Sequence, residues 1–261
     1  MTTTTTPAAR TLPGFGGFTL GMLALELRRT VRNRRTVVFT LILPAAFFLL
    51  FGANSSYRQE RIGQGNVTGY VLISMAVYGA MLATTSGGAM VSVERAAGWS
   101  RQLRLTPLRP AAYIAVKLVL AMLLGAVSVA VAFVVGAVAG AELPGYAWLG
   151  CGLLAWVCAL VFAAFGLFMG YLLPSENVMQ ILGPVLAVLS LAGGLFMPVD
   201  RLGQVFATVA EFTPVYGVGQ IARYPLTHDG NLWLAALNVL VWTALFALGA
   251  TWRFRRDTAR V

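Results

Sequence analysis

The chain is 261 residues long, 58% hydrophobic and only 11% charged, with a mean hydropathy of +0.77. An ordinary soluble domain carries about 25% charged residues, so this chain has too few polar groups to cover a water-facing surface. That excludes a soluble globular enzyme, and the apolar excess excludes a disordered or collagen-like chain. The net charge of +10 would suit nucleic acid, but the basic residues sit at the ends of apolar runs, so a multi-span membrane protein with no nucleic-acid partner is expected.

In chain order, residues 1–13 form a Thr-, Ala- and Pro-rich tail, expected to be mobile and unlike a secretory signal. Residues 14–35 place Leu20, Leu23, Leu27 and Val31 on one helical stripe and Arg28, Arg32 and Arg35 on a second. This is the pattern of an amphipathic helix lying in the headgroup layer. Six apolar runs follow, at 36–53, 67–91, 111–139, 148–173, 178–197 and 231–252, and Lys117 is their one charged residue. Each is long enough to cross about 30 Å of hydrocarbon as a helix, and the lack of period-two alternation excludes a β-barrel. Pro44 should kink the first run, and Gly183–Pro184 should bend or break the fifth. The expected organisation is a tail with an interfacial helix (1–35), a six-span unit (36–253) and a short C-terminal tail (254–261).

Small residues recur four apart at Gly79/Ala83/Gly87, Gly136/Gly140 and Gly166/Gly170, a spacing that lets helices approach closely within one bundle. Cys151 and Cys158 lie two turns apart in one run and cannot pair within a regular helix. Fifteen of the 19 basic residues fall in the N-terminal segment, the 92–117 segment and the C-terminus. The other four, Arg58, Arg61, Arg201 and Arg223, fall on the opposite side. Lys/Arg asymmetry therefore predicts that both termini face the cytoplasm. All basic residues but Lys117 are arginine, which suits a GC-rich bacterial genome and hence a multi-pass protein of a bacterial plasma membrane.

Two loops carry content. The segment from Val93 to Leu108 reads as a cytoplasmic amphipathic helix over 94–105, with Trp99 and Leu103 as its apolar anchor, Glu94, Arg95, Arg101 and Arg104 as charges for a partner, and Pro107 as its stop. The segment 198–230 contains Val205, Phe206, Val209 and Phe212 at helical spacing, then Thr213-Pro214. It is too short to span and reads as a helical hairpin dipping into the outer leaflet.

The pattern Glu94-Arg95-x-x-Gly98-(x)4-Leu103-x-x-Thr106-Pro107-Leu108, followed by Lys117, resembles the coupling-helix loop of the ABC type-2 exporter permeases. The external run Gly194-x-x-x-Pro198-(x)3-Leu202, continuing to Thr213-Pro214 and Arg223, is similar to that family's segment between spans five and six. Gly203 stands where the family usually has Pro, and Ala115-Val116 where Gly is common before the basic residue. The resemblance covers nearly the whole chain. It implies an all-α membrane protein of six spans with an N-terminal interfacial helix, a cytoplasmic coupling helix and an external re-entrant hairpin marked by Pro198, Leu202 and Pro214.

The chain has no Gly-x-x-x-x-Gly-Lys-Ser/Thr loop and so no phosphate cradle of its own. It is expected to be a permease subunit rather than an enzyme, with no cofactor in this chain. The resemblance implies a separate cytoplasmic ABC ATPase in two copies, which would bind ATP and Mg, and a second membrane subunit, identical or homologous. Coupling to the ATPase would fall to Glu94, Arg95, Gly98, Trp99, Arg101, Leu103, Arg104 and Pro107. The resemblance also implies a path between two copies, lined by spans two and five, where Tyr70, Ser74, Tyr78, Thr84, Thr85, Gln180 and Ser190 supply neutral polar groups. Such a path suits an amphipathic small molecule, a drug or antibiotic, moved outward. Export of a lipid or glycan intermediate, or a non-transporting scaffold or sensor, are the alternatives. His228, the only histidine, cannot alone build a metal site or a catalytic triad. Asn54-Ser55-Ser56 and Asn66-Val67-Thr68 match the glycosylation pattern, which has no meaning in a bacterial chain.

Overall fold

The computed structural model describes residues 20–98, 110–196 and 203–259. It is helical almost throughout. Helix α1 (Leu20–Val31) is followed by the short α2 (Arg34–Val37), a π-helical segment (Val38–Ile42), α3 (Leu43–Gly52) and α4 (Ser55–Gln59). A two-stranded hairpin, β1 (Arg61–Ile62) and β2 (Gly65–Asn66), leads into α5 (Val67–Ala96). Then come α6 (Pro110–Val138), α7 (Gly145–Cys158), α8 (Leu160–Leu172), α9 (Ser175–Ala192), α10 (Gln204–Glu211), α11 (Pro214–Thr227) and α12 (Leu232–Ala259). The 1–13 tail lies outside the described residues, as do Trp99, Arg101, Leu103, Arg104 and Pro107 of the inter-span loop and Pro198 and Leu202 of the external motif.

Among the described residues, five helical stretches are long and apolar enough to cross a membrane: Val67–Ala96, Ala112–Val138, Gly145–Leu172, Ser175–Ala192 and Leu232–Arg256. They match the second to sixth apolar runs. The first run departs from expectation. Its apolar helix, Val38–Gly52, is shorter than the others and spans about 22 Å at 1.5 Å per residue. The reason lies at Pro44. Proline has no N–H to donate to the Thr40 carbonyl four residues back. The turn before it is wound as a π-helix in which the Leu43 amide bonds the Val38 carbonyl. Ser128 Oγ of α6 donates to the Thr40 carbonyl at 2.7 Å. Pro184 has the milder outcome of the two: α9 runs through it as one helix.

Helix α5 is the axis of the bundle. Of its apolar stretch 83% is buried, against 6% for α12, and α3, α6, α8, α9 and α11 all pack on it. Small residues allow this. A Cβ on Gly88 would sit 2.7 Å from both the Ala163 carbonyl oxygen and the Leu167 nitrogen of α8, and one on Gly87 would sit 2.7 Å from the Ala121 Cβ of α6. Gly166 and Gly170 press on the α5 backbone at Thr85 and Ala89, while Gly136 receives the Leu72 side chain. The four-residue spacings are therefore packing contacts inside one chain. The two cysteines are free, Cys151 buried and Cys158 half-buried in one helical stretch. Outer helices bear the lipid-facing residues: Trp233, Leu234, Leu237, Leu240 and Leu248 of α12 are all exposed.

The two Asn-x-Ser/Thr patterns turn out to be helix caps. Asn54 accepts from the Ser56 amide at the start of α4, and Asn66 accepts from the Gly69 amide at 2.8 Å at the start of α5, each satisfying a backbone donor that has no partner within the helix. Asn66 also binds the connection between α6 and α7, accepting from Glu142 N at 3.0 Å and donating to the Gly140 carbonyl at 3.0 Å.

Candidate functional site

The C-terminal end of α5 is where the first candidate loop begins. Of the 94–105 stretch read from sequence as one amphipathic helix, Glu94 and Arg95 form the last turn of α5, and residues 99–105 lie outside the described residues. Gly98, with φ of +75°, follows α5 in the left-handed conformation that a glycine adopts without penalty. Glu94 is 5% exposed and is not a surface charge. Its Oε1 lies 2.5 Å from Lys117 Nζ, and its Oε2 accepts from the Tyr113 hydroxyl, both on α6. Lys117 is 1% exposed and donates a second bond, at 2.8 Å, to Glu26 Oε2 of α1. Arg29 closes the group from outside, with Nη1 3.7 Å from Glu94 and 4.0 Å from Glu26.

This arrangement makes local sense. A single charge costs several kcal/mol to bury unless it is paired, and the ammonium of Lys117 meets two carboxylates. The consecutive helices α5 and α6 and the distant α1 are thereby tied together at the root of the loop. The amphipathic α1 is held to the bundle through Glu26, a residue that its apolar and arginine stripes did not single out. Arg95 turns the other way: its Nη1 donates at 3.3 Å to the Gly170 and Tyr171 carbonyls, and its guanidinium lies 5.4 Å from the Tyr171 ring centre. These are among the last carbonyls of α8, where a cation is favoured by the helix dipole. The end of α12 lies here too, since Phe254 packs edge-on against Tyr171. A cavity of about 270 Å³ opens beside the cluster between α1, α5 and α6.

Most of the polar residues assigned to a path are buried among the chain's own helices: Ser74, Tyr78, Thr84, Thr85 and Ser190. Ser74, Thr84 and Ser190 donate to carbonyls four residues back in their own helices, at 3.0, 2.8 and 2.6 Å. Thr85 donates across to the Phe162 carbonyl of α8 at 3.3 Å. Tyr78 packs against Phe47 and Phe196. Only Gln180, on α9, is exposed.

Tyr70 belongs to a second polar centre, at the opposite end of α5. Arg223 of α11, expected in an external loop, is 4% exposed. It donates to the Gly219 carbonyl at 2.9 Å, to the Gly194 carbonyl at 3.2 Å and to the Tyr70 hydroxyl, and lies 4.7 Å from the Tyr70 ring centre. Gly194 and Arg223 of the external motif are thus in direct contact. Pro214 sits in the first turn of α11, which Thr213 caps by accepting from the Tyr216 amide. The preceding α10 exposes Val205, Phe206, Val209 and Phe212, and its end is secured by Asn238 and Trp242 of α12, which donate to the Glu211 and Phe212 carbonyls at 2.8 and 2.9 Å. His228 is exposed, in a left-handed turn beside Tyr224 and Tyr146.

Comparison with known proteins agrees with this architecture. The family model described as ABC-2 type transporter matches residues 19–226, from the first described helix to the end of α11. The chain is also similar to a Bacillus subtilis (strain 168) protein named "Putative transport permease YvfS", with 28% identity over 239 residues covering 90% of this chain and 96% of that protein. Among the described residues, the bundle of five membrane-length helical stretches, one of them the buried central α5, is ion-paired to an amphipathic N-terminal helix as befits a transporter's membrane part, and the chain belongs to the ABC-2 type transporter family.

Proposed function

We propose that this chain is the membrane-spanning permease subunit of an ATP-driven exporter. A separate cytoplasmic ABC ATPase, in two copies, binds ATP with Mg and does the hydrolysis, and a second membrane subunit, identical or homologous, completes the path. The observation that carries the reading is the root of the 94–108 loop. Glu94 is clamped by Lys117 and Tyr113 and linked through Lys117 to Glu26 of α1, so a push received by Trp99, Leu103, Arg101 and Arg104 would pass into three helices at once. A lever must be rigid where it meets its load, and a doubly bonded buried lysine supplies that rigidity.

In this reading both termini and the 94–108 loop face the cytoplasm of a bacterial cell, in keeping with the arginines beside α1 and in the last turns of α12. The α10–α11 pair forms the external hairpin, with the exposed apolar face of α10 in the outer leaflet. The first apolar run completes a sixth crossing together with α2. The path lies against a second membrane subunit along α9, whose outer face carries Gln180, Ile181, Val188 and Leu191. A wall of this kind suits an amphipathic drug or antibiotic better than an inorganic ion.

The test is co-purification with an ABC ATPase followed by turnover in lipid. Trp99→Ala and the pair Arg101→Ala/Arg104→Ala should leave insertion intact and lower drug-stimulated ATP hydrolysis and efflux together. Efflux at the unaltered rate in both variants, or vectorial transport by the chain with no ATPase present, would sink the proposal.

A further inference from the structure

The cavity of about 270 Å³ between α1, α5 and α6 is not used by the coupling role. We propose that it seats the phosphodiester headgroup of an anionic phospholipid. Three features of the site support this. The first is how charge is distributed. Lys117 with Glu94 and Glu26 leaves one negative charge in the floor, which Arg29 offsets, so the lining carries a net charge of +1 through Arg32. Arg29 is held at the mouth through its Nη1, with its side chain 63% exposed. Arg32, also lining the cavity and exposed, makes no ion pair among the described residues. Two guanidinium groups at one opening match phosphate geometry, which guanidinium binds in bidentate fashion.

The second feature is the apolar wall. Met90, Leu120 and Leu124 line the inner side, where a free phosphate would gain nothing and the glycerol and first methylenes of a lipid would lose water contact. Beside Leu120 and Leu124, the exposed stripe Val119, Leu123 and Val127 runs along the outside of α6. Acyl chains leaving the cavity would have a lipid-facing track to follow. The third feature is size and depth. Pockets that enclose a drug-sized ligand run from about 300 to 1,000 Å³; this one is smaller and fits a headgroup rather than a whole amphiphile. It opens beside an amphipathic helix of the kind that lies at headgroup level, and basic pockets between membrane helices favour acidic headgroups.

The proposal stands apart from the export reading, because its readouts need neither ATPase nor transported substrate. The purified full-length chain in detergent is mixed with phosphatidylglycerol, phosphatidylcholine or inorganic phosphate. Bound lipid is read by native mass spectrometry and stabilisation by the melting temperature. Phosphatidylglycerol should be retained and raise the melting temperature, while phosphatidylcholine and phosphate should do so far less. Arg32→Gln, at an exposed position outside the ion cluster, should weaken phosphatidylglycerol retention about five-fold, the equivalent of about 1 kcal/mol per basic side chain. Arg29→Gln should weaken it at least as much while also removing the outer cation of the cluster. Ser86→Phe, which puts a ring into the cavity without touching the ion cluster, should abolish it. Equal retention of the two lipids, unchanged retention in both arginine variants, or an equal melting shift with inorganic phosphate would each overturn the proposal.

Discussion

Replacing Lys117 with methionine tests the buried cluster most directly. Methionine keeps the length and apolar character of the side chain and removes only the ammonium. Lys117 Nζ lies 2.8 Å from Glu26 and 2.5 Å from Glu94, so the two carboxylate oxygens that it bridges are no more than about 5 Å apart. Unit charges at that separation repel by about 3 kcal/mol at an effective dielectric of 20. Breaking a buried pair by removing one partner costs about 3–5 kcal/mol, which agrees. At roughly 2–4 °C per kcal/mol for a chain of this size, Lys117→Met should lower the melting temperature by roughly 6–12 °C.

The assay is thermal unfolding of the purified chain in detergent, followed by the surviving monodisperse fraction. Adding Glu94→Gln to Lys117→Met removes the repulsion without removing the shape, and should recover at least half of the loss. A single variant that melts within 2 °C of the parent, or a double variant no better than the single one, would refute the electrostatic account of this site.

Other consequences can be read in the same assay. Gly88→Ala places a Cβ 2.7 Å from the α8 backbone and should cost about 1–3 kcal/mol by overpacking, whereas Gly183→Ala, which meets nothing within 4 Å, should be neutral or stabilise α9 by about 0.5–1 kcal/mol. Ser128→Ala removes the donor to the Thr40 carbonyl and should cost about 1–3 kcal/mol, with Ser128→Thr the milder change. Arg223→Lys keeps the charge but not the fork that reaches the Gly194 and Gly219 carbonyls and Tyr70. It should destabilise more than Tyr70→Phe, which loses one hydroxyl and keeps the ring under the guanidinium; the reverse order would mean that the hydroxyl, not the fork, holds this end together.

The extent of the helices was legible because hydropathy is local. The second to sixth runs need only 20 or so apolar residues in a row, and that condition can be met or failed without knowing the neighbours. The first run shows where it stops working. Counting apolar residues from 36 to 53 suggests a full crossing, but Pro44 removes one donor and the turn before it becomes π-helical, which no count registers. Burial was less legible still. Nothing in the composition of 67–91 says that it is the axis; the signal was there in Gly79, Ala83, Gly87 and Gly88, since small residues all round a helix mean neighbours all round it. The resemblance alone places Ser74, Thr84 and Thr85 along a path; within this chain their hydroxyls bond carbonyls, which are present on every helix and leave no mark in the sequence. Glu26 was missed because its partner is 91 positions away.

The same reasoning explains why an ionic cluster stands at the base of the loop when apolar packing would be at least as stable. Well-packed hydrophobic residues of similar volume often match or exceed a buried ion pair in stability, so the cluster is poorly explained as a source of stability. What it has is direction. Leucine-type contacts let a helix slide or rotate by a few degrees for little cost. Lys117 must meet Glu94 and Glu26 together, while Tyr113 must reach the second oxygen of Glu94. A shift of one residue along α6 would turn both side chains by about 100° and leave two carboxylates buried without a cation. The cluster therefore fixes the register of α1, α5 and α6 at the point where the 94–108 loop departs. The compact, strongly hydrated ammonium of lysine, with its three rotatable donors, suits a three-way junction better than the planar fork of arginine. That is a physical reason for the single lysine in a chain whose other 18 basic residues are arginine.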